Sequence, residues 1–172
     1  MYKHALNLFQ SVCNISGKTV NKLHTSCVVK NDLVKGASVS IKRTITQQDI
    51  DTFASISGDT NAIHLDKQAA QSHPKKFERC VVHGILMSGL VSGVVGTVLP
   101  GPGTLLVGKT INCPAPAYSG ETVTVCVTVE EVRKLITLSY ECSVDRFNEK
   151  ADAFDKVVVL HGLVKVVKHK VV

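Results

Sequence analysis

Hydrophobic and polar residues change their spacing twice along this chain, from strand-like alternation to helical spacing and back to strand-like runs. Between Ala37 and Ile45, Val39, Ile41 and Arg43 alternate with polar neighbours, which predicts a first strand. Thr46-Gln47-Gln48-Asp49 then resembles a helix start, followed by Ile50, Phe53, Ala54 and Ile56 at helical spacing. Asp66 is placed to cap a short helix through Lys67–Gln71. From Val81 to Leu99 run nineteen residues with no charge unless His83 is protonated, closed abruptly by Pro100-Gly101-Pro102-Gly103. Beyond Gly103, four segments rich in Val, Ile, Leu and Thr read as strands: Thr104–Cys113, Thr122–Val132, Leu135–Val144 and Lys156–Val167. The break at Pro114–Gly120 and the turn near Arg133-Lys134 predict antiparallel neighbours joined in sequence order. A long buried helix with a run of antiparallel strands is an α+β plan in which the sheet wraps the helix.

The apolar run admits a second reading. Gly89-Leu90-Val91-Ser92-Gly93 matches the small-xxx-small pattern of membrane helices. His83, Ser88, Ser92 and Thr97 interrupt it, four glycines weaken it, and no second span or aromatic belt accompanies it. A helix enclosed by protein is the expectation, with no membrane span.

Composition changes the picture in two places. With 172 residues and 44% apolar content the chain can build one domain with a proper core. The net charge of +6 is concentrated at the front: residues 1–42 hold Lys3, Lys18, Lys22, Lys30, Lys35 and Lys42 against Asp32 alone. With no tryptophan and no aromatic interleaving, the basic termini do not suggest a nucleic-acid surface. The acid-free front, with Leu6, Leu8, Phe9, Val12 and Ile15 at loosely helical spacing, suits a basic amphipathic mitochondrial presequence. An uncleaved, poorly ordered N-terminus fits the same residues, and the first arginine arrives only at Arg43. The expected organisation is a leader over 1–35, one domain over 36–168 and a short tail, with localisation in the mitochondrial matrix. The six cysteines (13, 27, 80, 113, 126 and 142) show no metal-site spacing and read as reduced thiols. Cys126 and Cys142 fall in strand-like runs, and Cys80 stands where it would pack or line a pocket.

The candidate chemistry lies in Ser57-Gly58-Asp59-Thr60-Asn61-Ala62-Ile63-His64. On one continuous helix Asp59 and His64 would sit about 140° apart, so a turn must bring them together. Gly58-Asp59 and Thr60-Asn61 supply turn residues. A carboxylate and an imidazole aimed at one water can move protons near neutral pH. The same residues also fit an ordinary loop with a structural histidine.

Phe53–His64, then Val81-Val82-His83-Gly84-Ile85-Leu86-Met87-Ser88, then Pro116-Ala117-Tyr118-Ser119-Gly120-Glu121, together resemble the MaoC-like, R-specific hydratase branch of the hotdog-fold enzymes. The likeness covers about residues 37–168, and within that branch the short chain and basic leader are most similar to mitochondrial hydroxyacyl-thioester dehydratases of type 2. The resemblance implies a single hotdog fold, usually dimeric, and reversible conversion of an (R)-3-hydroxyacyl thioester to the trans-2-enoyl thioester and water. No metal, nucleotide or flavin motif is visible in the sequence, so the chemistry is expected to proceed without a metal or cofactor. It implies Asp59 and His64 as the catalytic pair and Asn61 as the residue orienting their loop. The backbone N–H of Gly84, at the head of the long helix, is the candidate oxyanion donor, with His83 supporting the loop. Lys75, Lys76 and Arg79 stand where they could meet an acidic acyl carrier protein. Mitochondrial fatty-acid synthesis on acyl carrier protein thioesters is therefore the first expectation. A coenzyme A thioester hydratase and a non-catalytic acyl- or partner-binding hotdog module are the alternatives. Three positions depart from the family pattern: Ala62 where proline is usual, Cys113 where an aromatic is common, and Glu78 where a glycine often stands.

Overall fold

The computed structural model describes residues 33–169. The proposed leader therefore lies almost wholly outside the described residues. Five strands and four helices follow in chain order: β1 Ser38–Thr44, α1 Gln47–Ser57, α2 Ala62–Leu65, α3 Lys67–Ser72, α4 Gly84–Thr97, β2 Thr104–Lys109, β3 Thr122–Val132, β4 Ile136–Asn148 and β5 Ala153–Lys168. The strands form one antiparallel sheet in the order β1-β3-β4-β5-β2, and the α+β hotdog plan is the one observed.

Alternation drives the packing. Val123, Val125, Val127 and Val129 of β3, Leu138, Tyr140, Cys142 and Val144 of β4, and Leu160, Val164 and Val166 of β5 are buried on the face turned to α4. From α4, Met87, Val91, Val94 and Val95 complete the same core. Removing this apolar surface from water, at about 25 cal/mol per Å², is the main favourable contribution to folding. Burial also pushes the Cys142 thiol up to about 12, which keeps it protonated and inert. Among the described residues Cys80, Cys113, Cys126 and Cys142 form no disulfide.

The apolar run is shorter as a helix than its sequence suggests. Val81 and Val82 are extended, because Val81 N–H donates to the Ile63 carbonyl and Val82 N–H to that of Ala117. At the other end the Val98 and Leu99 N–H groups both return to Val94 O, and the chain turns. The fourteen residues of α4 rise about 21 Å at 1.5 Å each, short of a ~30 Å hydrocarbon layer. Among the described residues no helix is long and apolar enough to cross a membrane.

The sequential order of strands holds for β3, β4 and β5 but not for β2. That strand ends at Lys109 instead of Cys113 and pairs with β5 on the far edge. Pro114 and Pro116 cannot donate to a ladder, and the segment they stiffen is held instead by Val82 N–H on Ala117 O and by a Val81–Tyr118 bridge. The crossing presses against β5 at Gly162, where a Cβ would collide with the Thr110 carbonyl oxygen. The β4–β5 hairpin also outruns its apolar pattern, ending in an exposed ribbon where Phe147 and Phe154 pair across the strands with rings 5.4 Å apart.

Candidate active site

Local turn chemistry sets the site. Helix α1 opens with a capping box: Thr46 Oγ1 accepts from Asp49 N–H, and Asp49 accepts from Thr46 N–H. Burial alone would raise the Asp49 carboxyl, but the Thr46 hydrogen bonds and the Arg43 guanidinium, 3.0 Å away, outweigh it and hold the group below its ordinary range. At its other end α1 stops at Gly58, whose φ of 76° is the left-handed conformation that glycine adopts freely. The Ser57 hydroxyl donates to Phe53 O and accepts from Asp59 N–H, turning the chain out of the helix.

From there the loop is held by its own side chains. Asp59 Oδ1 accepts from Asn61 N–H, and Asn61 Oδ1 accepts from Ile63 N–H, so Asn61 is the N-cap of the single turn α2. That turn carries His64. Asp66 then caps α3 through the N–H groups of Gln68 and Ala69, as its position in the sequence predicts.

His64 donates its Nδ1–H to the Val81 carbonyl oxygen at 2.6 Å. A carbonyl can only accept, so in the neutral ring Nε2 holds a bare lone pair. That atom lies 3.9 Å from Asp59 Oδ2. The gap is too long for a direct hydrogen bond, but it admits one water about 2.8 Å from each atom. The Asp59 side chain is 52% exposed while that of His64 is 10% exposed, so the pair opens toward solvent on the carboxylate side.

His83 closes the other side. Its Nε2 donates to the backbone carbonyl of Asp59 at 3.0 Å, and its ring stacks on His64 with centroids 3.8 Å apart. Phe53 leans on the outer face of His83 at 5.0 Å. The Nδ1 of His83 is buried with no partner among the described residues, consistent with the tautomer that the Asp59 contact requires. Asp59, His64 and His83 fall within 4.8 Å of one another. With His83 Nε2 committed as a donor, however, only two lone-pair ligands face the gap, a poor set for a metal ion.

Gly84 is the first residue of α4, and among the described residues no side chain caps that helix. Its N–H therefore stands among the free donors at a helix N-terminus. A Cβ at Gly84 would lie 3.1 Å from Cys113 Sγ.

The three basic residues ahead of α4 separate. Lys75 and Lys76 are exposed in the turn after α3. Arg79 is drawn inward: it donates to Ser119 O at 3.0 Å, lies 3.5 Å from Glu121 and sits over the Tyr118 ring. It lines a cleft of about 510 Å³ together with Lys42, Arg146, Glu78, Glu121 and Asp145, where charges balance three to three. None of Asp59, His64 or His83 lines that cleft.

The carbonyl of Val81 and the stacking of His83 on His64 carry no sequence signal, because one is backbone and the other depends on tertiary placement. Lys109, read in the sequence only as part of a strand, also proves to be a half-buried group facing α4.

Comparison with known proteins points the same way. The family described as MaoC like domain matches residues 30–149. The (R)-specific enoyl-CoA hydratase of Rhodospirillum rubrum is 39% identical over 116 residues, 66% of this chain and 79% of that protein. The mitochondrial 3-hydroxyacyl-[acyl-carrier-protein] dehydratase of Arabidopsis thaliana is 27% identical, with 62% of each chain covered. Among solved structures, the (R)-hydratase from A. caviae superposes with a TM-score of 0.69 at 27% identity, covering 81% of this chain and 99% of that one.

Proposed function

This chain belongs to the MaoC-like hydratase family and is a hydro-lyase, and on that premise we propose that it interconverts trans-2-enoyl and (R)-3-hydroxyacyl thioesters of coenzyme A. The observation that carries the reading is the bare Nε2 of His64, fixed by Val81 and set 3.9 Å from Asp59 Oδ2. A water held between them gives its proton to the pair as its oxygen bonds to C3. The electrons of the double bond move toward the thioester carbonyl, whose developing negative charge meets the Gly84 N–H at the head of α4. The pair then returns a proton to C2. Dehydration runs through the same positions in reverse.

Coenzyme A displaces acyl carrier protein as the favoured thioester. The bacterial enoyl-CoA hydratase is the nearer relative at 39% identity, against 27% for the plant mitochondrial dehydratase. The tying of Arg79 to Ser119 and Glu121 removes one of the three cations offered to an acidic carrier.

A homodimer is part of the proposal. The edge strand β2 exposes Leu105 at 61%, Leu106 at 51% and Val107 at 56%, an apolar edge that no strand among the described residues pairs, of the kind proteins cover. Light scattering over a range of concentrations tests it, and a monomer throughout would refute it.

The function is tested by hydration of a short trans-2-enoyl-CoA, followed as loss of the conjugated absorbance, beside the same acyl group on acyl carrier protein. Turnover of the coenzyme A thioester to an (R)-3-hydroxy product supports the reading. Binding without turnover would leave an acyl-binding module.

A further inference from the structure

A second polar group lies further along the face of α4 that begins at the site. Gly84, Ser88, Val91, Ser92 and Val95 recur at helical spacing and so share one side of the helix. Ser88 lies one turn beyond Gly84, roughly 6 Å along the axis. Lys109 of β2 reaches across to it: Nζ donates to the Ser88 carbonyl at 2.9 Å and to Ser88 Oγ at 2.6 Å. The ammonium also stands 4.8 Å from the centre of the Tyr140 ring, whose hydroxyl donates to Thr110 O.

Among the described residues no acid pairs with Lys109, although burial draws its amine below the ordinary lysine range. A half-buried cation without a carboxylate is unfavourable unless other contacts hold it. Here two hydrogen bonds and an aromatic face do so, bolting β2 to α4. Beside it lies a cleft of about 50 Å³, lined by Val91, Ser92, Val95, Leu106 and Val164 as well as Lys109. That cleft opens to the surface at Ser92 and Leu106. An acyl chain with its carbonyl at Gly84 and its tail laid along this face of α4 would meet the Lys109–Ser88 bolt about one turn on, before it reached that space.

We propose that Lys109 determines acyl-chain length, closing the path along α4 so that short enoyl thioesters are accepted and medium-length ones are refused. The inference rests on the hydratase reading above and names the substrate class for the same site. Lys109 touches neither the water nor the thioester carbonyl, so its replacement leaves the chemistry of a short substrate intact.

The experiment measures kcat/KM for four-carbon and eight-carbon trans-2-enoyl-CoA in the parent and in Lys109→Ala. The parent should favour the four-carbon substrate. In Lys109→Ala the eight-carbon to four-carbon ratio should rise roughly tenfold or more, mainly through KM for the longer chain, with four-carbon turnover retained. If Lys109→Ala does not fold, Lys109→Met, which keeps the packing on Tyr140 but loses both bonds to Ser88, should raise the ratio about threefold. A ratio unmoved in a folded variant, or a parent that already accepts both lengths equally, overturns the proposal. A parent that hydrates neither substrate refutes the hydratase reading itself, and the chain-length proposal falls with it.

Discussion

His64 and His83 lie face to face, ring centroids 3.8 Å apart and planes 24° from parallel, while His83 Nε2–H holds the carbonyl of Asp59. One ring therefore fixes both members of the candidate pair: it packs the imidazole and anchors the backbone that carries the carboxylate. His83→Phe should preserve the stacking and lose the anchor. The expected result is a fall in kcat of roughly ten- to a hundredfold with KM little changed, since small displacements at a reacting centre have effects of that size. A proportionate rise in KM instead would mean that His83 serves binding.

Removal of either member of the pair should be far more damaging. Asp59→Asn keeps the shape and His64→Ala removes the ring; each should lower kcat by about 10² to 10⁴, the usual contribution of a positioned acid or base. Asp59 is exposed, so Asp59→Asn should melt close to the parent. His64 is buried and bonded to Val81 O, so His64→Ala should lose stability as well. Activity within tenfold of the parent in Asp59→Asn would remove Asp59 from the proposed mechanism.

The strands and the central helix are legible in the sequence because β-branched residues alternate where one sheet face is buried, and because a charge-free run must go inside. What the pattern misses are its ends. Val81 and Val82 read as helix but are spent on pairing with Ile63 and Ala117, and the polar ends of β4 and β5 form a ribbon that burial does not dictate. The placement of β2 beside β5 follows from the crossing over Gly162, a tertiary contact that no local period records. In the same way the Asp59–His64 pair is visible from spacing and turn residues, whereas the Val81 carbonyl that selects the His64 tautomer is not.

Ala62 offers a gain of stability. It is the first residue of α2, directly after the Asn61 N-cap, whose ψ of 127° suits a following proline. Proline is favoured at that first helical position because it loses no intrahelical hydrogen bond there. Ala62→Pro should raise stability by about 0.4–1 kcal/mol by restricting the unfolded chain. Activity should hold or increase as the Asp59 loop stiffens. A lower melting temperature would show that the loop needs the freedom alanine leaves it.

The capping box of α1 predicts a pH dependence with a definite sign. The Asp49 carboxyl is held below its ordinary range in the fold, so its contribution is complete above the unfolded carboxylate pKa, about 3.9. That contribution is lost as the pH falls through the lower folded value. Asp49→Asn should therefore be less stable than the parent at neutral pH, by about 1 kcal/mol as for loss of a helix cap. In thermal melts the gap should narrow only as the solution becomes acidic. A gap that stayed constant into strong acid would assign the loss to packing instead.

Gly84 separates two explanations for a glycine at the head of α4. If it were needed for packing, an added methyl would destabilise the fold, yet the atom it meets is the thiol of Cys113, an exposed side chain free to give by a few tenths of an ångström. Alanine is also the better helix former, by about 1 kcal/mol in a helix interior. Gly84→Ala should therefore melt within a few degrees of the parent. A methyl there would nevertheless stand beside the N–H proposed to meet the thioester oxygen, and kcat/KM should fall at least about tenfold. Adding Cys113→Ala relieves the contact with the thiol but leaves the methyl at the helix head, so it should not restore activity. Full recovery in the double variant would show that the glycine protects only the packing of Cys113, and the oxyanion role would have to pass to another donor of the first turn.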